Sequence, residues 1–164
     1  MQLSGKATVL GDDIDTDVIY PGRYLAVLDP VSQSTHLFES LPGDLRKRVG
    51  EGGVIVAGWN FGCGSSREHA VTSMLGAGVR LVVARSFSRI YFRNAINNGL
   101  AVVTCPQLVD LVADGDGVEV DLAAGLARCP RGECEFAPLA APLLAIVSAG
   151  GLWASVAANR DTVT

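Results

Sequence analysis

The stretch Asn60-Phe61-Gly62-Cys63-Gly64-Ser65-Ser66-Arg67-Glu68-His69-Ala70 concentrates residue types that bind and act on an anion. Its glycines strip side chains from the approach, so a ligand can reach backbone N–H groups. Two hydroxyls and a guanidinium add donors that suit a carboxylate or a phosphate. Ser65 and Glu68 stand at the S-x-x-E spacing of a capping box, which predicts Ser65 as the cap of a helix over 66–75. The ordinary alternative is that capping is all Ser65 does. Arg67 weighs against it. A first helical turn favours acidic residues, and an arginine there suits an anion lying between guanidinium and helix.

A second cluster is Asp12-Asp13-Ile14-Asp15-Thr16-Asp17. D-x-D-x-D opens an EF-hand loop, but that loop needs Gly at its sixth position and Glu at its twelfth. Counted from Asp13 those places hold Val18 and Tyr24, so calcium is a poor match. Turns held by Asx hydrogen bonds are the ordinary reading. The functional one is a carboxylate that orients a base or an arginine, with Asp17 best placed. The four cysteines, Cys63, Cys105, Cys129 and Cys134, form no C-x2-C pair, so neither zinc nor an iron–sulfur cluster is expected on this chain. They are also too scattered for a secreted disulfide framework. Cys63, inside the glycine turn, either lines the site or fills a small buried space.

These residues need a scaffold. Apolar runs predict buried strands at 54–57, 80–84 and 100–104, with a strand at 6–10 before them. Helices are expected over 66–75, 88–97 and 106–113, the second closed by Asn98-Gly99. Residues 11–28 read as a functional loop, and 37–49 as a helix interrupted at Pro42-Gly43. Residues 118–122 and 128–136 read as antiparallel additions, 142–147 as a last helix, and the tail from Ala158 as frayed. Strands alternating with short helices give the fold class: α/β, a layered, mostly parallel sheet flanked by helices. One domain over 1–164 is expected. Ser86 then falls near a strand's C-terminal edge, where open α/β sheets gather ligands. The segment 85–94 also reads as a plain helix, with Ile90, Phe92 and Ile96 partly buried.

Apolar residues make up 49 % and charged ones 18 % of the 164 residues, and mean hydropathy is +0.33. This is apolar for a domain of its size, so a partner is expected to cover part of the surface. A net charge of −4 argues against a nucleic-acid footprint. No apolar run approaches the roughly 20 residues that span a membrane, and the start lacks a signal-peptide apolar segment. A cytoplasmic location, with no membrane contact, is the expectation.

In order and spacing, Gly11 to Asp17, Asn60 to Ala70, and Ala84-Arg85-Ser86-Phe87 with Arg89-Ile90 and Asn94 resemble the small-subunit family of isopropylmalate dehydratases, the swivelling domain of the aconitase superfamily. The resemblance covers Gly5 to about Leu152 and rests most on G-C-G-S-S-R-E-H-A. It implies a swivelling β/β/α domain that docks on a large subunit bearing a [4Fe–4S] cluster, with no cofactor on this chain. By this resemblance Ser65 is the base that removes a proton beside a carboxylate. Ser66 and Arg67 bind the carboxylate of a small di-acid, Gly64 and Cys63 line the site, and Asp17 belongs to the active-site network. The loop Tyr24-Leu25-Ala26-Val27 is tied to substrate choice. Homoaconitase-like members carry an arginine at its third place, where this chain has Ala26.

An apolar loop packs against an alkyl group and cannot pair a third carboxylate. The expected reaction is therefore the isomerisation of 2-isopropylmalate to 3-isopropylmalate by dehydration and rehydration, in leucine biosynthesis. Arg23, just before the loop, is a cation that could swing inward and weigh against this. A 2-methylmalate (citramalate), 2,3-dimethylmalate or homoaconitate-type dehydratase is the alternative within the class. Methylene differences alone discriminate by only about 1–3 kcal/mol. A non-catalytic anion-binding or regulatory module is the alternative outside it, and a homo-oligomer is open to the isolated chain.

Overall fold

The computed structural model describes residues 1–160. A seven-stranded sheet runs in the order β4-β3-β2-β1-β5-β6-β7. The strands are β1 (Gln2–Val9), β2 (Gly53–Ala57), β3 (Leu81–Ala84), β4 (Ala101–Thr104), β5 (Gly117–Asp121), β6 (Leu126–Cys129) and β7 (Gly132–Glu135). β1 to β4 are mutually parallel, in registers such as Ala7↔Val54, Val54↔Leu81 and Leu81↔Ala101. β5, β6 and β7 extend the sheet antiparallel from the other edge of β1. The apolar runs explain the division. Val54 to Ala57, Leu81 to Ala84 and Ala101 to Val103 are buried throughout, as strands covered on both faces require. β5 instead alternates, with Val118 and Val120 inward, the pattern of a sheet with one wet face.

The helices are α1 (Thr16–Ile19), α2 (Pro30–Ser34), α3 (Leu45–Gly52), α4 (His69–Gly76), α5 (Arg89–Asn97), α6 (Pro106–Leu111), α7 (Ala141–Ser148) and α8 (Leu152–Arg160). Met74 and Val71 of α4, and Tyr91, Ala95 and Ile96 of α5, join the strands in one core. α5 ends as expected, with Asn98 as C-cap and Gly99 at φ 84°. Among the described residues no single helix is long and apolar enough to cross a membrane.

Several elements differ from expectation. α4 begins at His69, not residue 66, because Gly64 is left-handed at φ 88° and the Ser65 carbonyl accepts from Thr16 Oγ1 at 2.9 Å. That carbonyl is thereby engaged away from helix initiation, and Ser65 caps nothing. Before Pro42 the expected helix is an irregular turn. Phe38 sits at φ 54° and donates its N–H to the Ile19 carbonyl at 3.0 Å, and only Leu45 onward is helical, capped by Asp44. The loop 11–28 contains α1 and a 3-10 turn, Gly22–Tyr24. α8 runs to Arg160, and the rest of the tail expected to fray, 161–164, lies outside the described residues.

Candidate functional site

Three loops leave the C-terminal ends of the neighbouring parallel strands β1, β2 and β3, where open α/β sheets collect ligands. They are laced together by backbone. Gly62 N–H donates to the Ile14 carbonyl at 2.8 Å, Thr16 N–H to the Cys63 carbonyl at 2.9 Å, and Phe61 N–H to the Ser86 carbonyl at 3.0 Å. Such interlacing demands close approach. At Gly62, φ 75°, a Cβ would lie 2.1 Å from the Tyr91 ring, so only glycine fits.

The aspartate cluster is consumed by this construction. Asp12 Oδ1 accepts from Trp59 N–H at 2.8 Å, and Asp13 Oδ1 from the Asn60 amide at 2.8 Å. Asp15 caps α1 through Val18 N–H at 2.8 Å. Asp17 accepts from Gly22 N–H at 3.1 Å and forms an ion pair with Arg67. Donation by the Arg67 guanidinium holds the Asp17 carboxyl below its ordinary value, against a smaller opposing effect of burial. Ser86 also serves the scaffold, its hydroxyl accepting from Asn60 N–H at 2.8 Å.

What remains unspent is the segment after Cys63. The backbone N–H groups of Gly64, Ser65, Ser66 and Arg67 donate to no protein acceptor among the described residues. Neither hydroxyl, of Ser65 or of Ser66, has an intramolecular partner there, and both residues are exposed. Beside them the Arg67 side chain is only 18 % exposed. It is fixed by Asp17 on one side and by the bare backbone of Gly22 on the other, where a Cβ would stand 3.0 Å from Nη1. Thr16, Gly64, Ser65, Ser66, Arg67 and Asn94, among others, line a shallow recess with no enclosed room for even a water molecule. It encloses no substrate and offers a surface for one end of a small acid. A larger hollow, lined by Gln2, Glu119, Asp121 and Arg128, lies on the antiparallel half of the sheet, away from these loops.

Ser65, Ser66, Arg67, Gly64 and Asp17 are thus brought together. Cys63 does not line the recess; its carbonyl pins Thr16, and burial pushes its thiol pKa up. Two contributors are missed by reasoning from residue types. Thr16 holds the Ser65 carbonyl, and the Asn94 amide donates to the Arg67 carbonyl at 3.3 Å. Gly22 gave no signal either, since its role is the absence of a side chain. Tyr24, Leu25, Ala26 and Val27 follow Gly22 after Arg23, with Leu25 and Ala26 exposed and Tyr24 and Val27 half-buried. The 3-10 turn is tied by Tyr20 Oη donating to the Tyr24 carbonyl at 2.9 Å, and Gln33 Nε2 donates to the Val27 carbonyl at 2.9 Å. Among the described residues no three His, Cys, Asp or Glu converge as a metal site, and all four cysteines are free thiols.

Residues 9–108 match the aconitase C-terminal domain family model. The 3-isopropylmalate dehydratase small subunit 1 of Methanopyrus kandleri is 51 % identical over 152 residues, 92 % of this chain and 89 % of that one. The 2,3-dimethylmalate dehydratase small subunit of Eubacterium barkeri is 43 % identical over 154 residues, 93 % and 94 % of the two chains. The crystal structure of 3-isopropylmalate dehydratase (LeuD) from Methanocaldococcus jannaschii superposes with a TM-score of 0.90 at 40 % identity, covering 98 % of this chain and 96 % of that one.

Proposed function

The chain belongs to the aconitase C-terminal domain family, and from that premise we propose that it is the small subunit of a hydro-lyase that interconverts 2- and 3-isopropylmalate. The observation that carries this is the run of unpaired N–H groups and free hydroxyls beside an arginine clamped by Asp17. Such a cradle binds one carboxylate of a di-acid. Arg67 supplies the charge, and Ser66 and the backbone supply directed donors.

With that carboxylate held, Ser65 Oγ accepts the proton from the carbon next to it. The electron pair of that C–H bond becomes the new C=C bond as the adjacent C–O bond breaks. A serine hydroxyl is a very weak acid, so its basic form needs strong local stabilisation. Ser65 precedes α4 by several residues, and helix-dipole effects fade beyond the first turn. The guanidinium and the unpaired N–H groups therefore carry the electrostatics, and they act most strongly in a closed, water-poor cleft. Rehydration reverses the steps, with water adding at the other carbon.

The small recess leaves the rest of the substrate to a large partner subunit. A [4Fe–4S] cluster there would supply a Lewis acid for the departing hydroxyl. The apolar Leu25-Ala26-Val27 stretch supports an alkyl malate over homoaconitate. The likeness to a 2,3-dimethylmalate dehydratase small subunit keeps smaller alkyl malates, including citramalate, as the second reading. The experiment is anaerobic reconstitution with the large subunit and a comparison of kcat/KM across 2-isopropylmalate, 2-methylmalate, 2,3-dimethylmalate and homoaconitate. Isopropylmalate is expected to lead, and preference for a methylmalate would transfer the assignment to the second reading.

A further inference from the structure

We propose that Glu39 sets the class of substrate side chain by clamping Arg23 away from the site, an inference that rests on the dehydratase reading above. Arg23 is well placed to interfere. A Cβ on its predecessor Gly22 would stand 3.0 Å from Arg67 Nη1, and an arginine's long flexible stem reaches past one neighbouring residue. A second cation beside Arg67 would suit a substrate bearing a third carboxylate. It would serve an alkyl group badly, because a charge desolvated against methyl groups has no partner.

The structure shows Arg23 engaged elsewhere. Its Nη2 lies 2.9 Å from Glu39 Oε1, and its guanidinium carbon lies 4.8 Å above the Tyr24 ring. Tyr24 Oη donates to the same Glu39 oxygen at 3.2 Å. That ring stacks on His36 with centroids 3.6 Å apart and planes 11° off parallel. His36 Nδ1 stands 3.8 Å from the other Glu39 oxygen. The Arg23–Glu39 pair alone, 63 % and 40 % exposed, would hold weakly. The ring beneath the guanidinium and the second donor on one carboxylate turn it into a network, which holds better than an isolated pair. Glu39 is its hub and touches no part of the recess, so it acts as a positioning residue. With Arg23 held, the loop offers Leu25, Ala26 and Val27 to an alkyl substituent.

The test uses this chain assembled with its large subunit and measures kcat/KM for 2-isopropylmalate relative to homoaconitate. Glu39→Gln is expected to shrink the preference for the alkyl substrate by about tenfold or more, mainly through KM, as a changed contact to the substrate's side chain would. Adding Arg23→Gln to Glu39→Gln should return the ratio to within about threefold of wild type, since no cation is left to release. An unchanged ratio in Glu39→Gln, or a double variant that stays shifted, overturns the clamp. Calorimetric affinities for isopropylsuccinate and tricarballylate on the same assemblies read the same preference without turnover. If wild type prefers a methylmalate, the isopropylmalate reading fails while the ratio against homoaconitate still decides the clamp.

Discussion

Gly22 carries much of the site while offering no functional group. A Cβ there would meet Arg67 Nη1 at 3.0 Å, tighter than ordinary contact, so Gly22→Ala should displace the guanidinium. We expect KM for the alkyl malate to rise by about tenfold with thermal stability nearly unchanged, read by steady-state kinetics beside a melting curve. The Asp17–Arg67 pair makes a separate prediction about pH. Because Asp17 titrates below its ordinary value of 3.8 in the fold, its link to Arg67 is fully formed above the unfolded value. It is lost only as pH falls through the lower folded value. Arg67 should therefore stay clamped across neutral and mildly acidic pH. An NMR titration of the Asp17 carboxyl should place its midpoint below 3.8, and Arg67→Gln should move that midpoint upward.

At the level of elements, the strands create the site by where they stop. Ile55 in β2 is fully buried, so Ile55→Ala should cost about 2–5 kcal/mol of stability. The Asp17–Arg67 pair should survive in the folded fraction, as chemical denaturation and an NMR spectrum would show. β2, β3 and β4 were legible because short apolar runs, each begun soon after a glycine, fit buried strands. α5 was legible from its Asn98-Gly99 stop. α4 was legible in its body but not at its start, since S-x-x-E describes a local option and the Thr16 bond to Ser65 is a tertiary competitor from far along the chain. α2, a five-residue helix begun by Pro30, and α8 gave no periodic signal strong enough to read. For the same reason the spacing does not pair Asp17 with Arg67; the residue types point only to a carboxylate that orients a base or an arginine. The two are 50 residues apart in sequence and meet only because β1 and β2 are parallel neighbours.

Over the whole molecule, exposed apolar side chains stand on the segments that build the site. Trp59 is 50 % exposed one residue before Asn60, and Ile90, 54 % exposed, lines the recess itself. Leu25 and Leu28, on the loop that follows β1, are exposed as well. These side chains suit the large subunit that would complete the site, since aromatic anchors at the centre of an interface carry much of its energy. Trp59→Ala should weaken assembly by about 2 kcal/mol, roughly 30-fold in Kd, in a binding titration of the two subunits. On this reading the chain brings the base and the carboxylate cradle to a site shared with a partner. The direct measurement is anaerobic turnover of 2-isopropylmalate by the assembled enzyme carrying Ser65→Ala. kcat is expected to fall by about 10²–10⁴-fold with KM little changed; turnover equal to wild type would rule out Ser65 as the base.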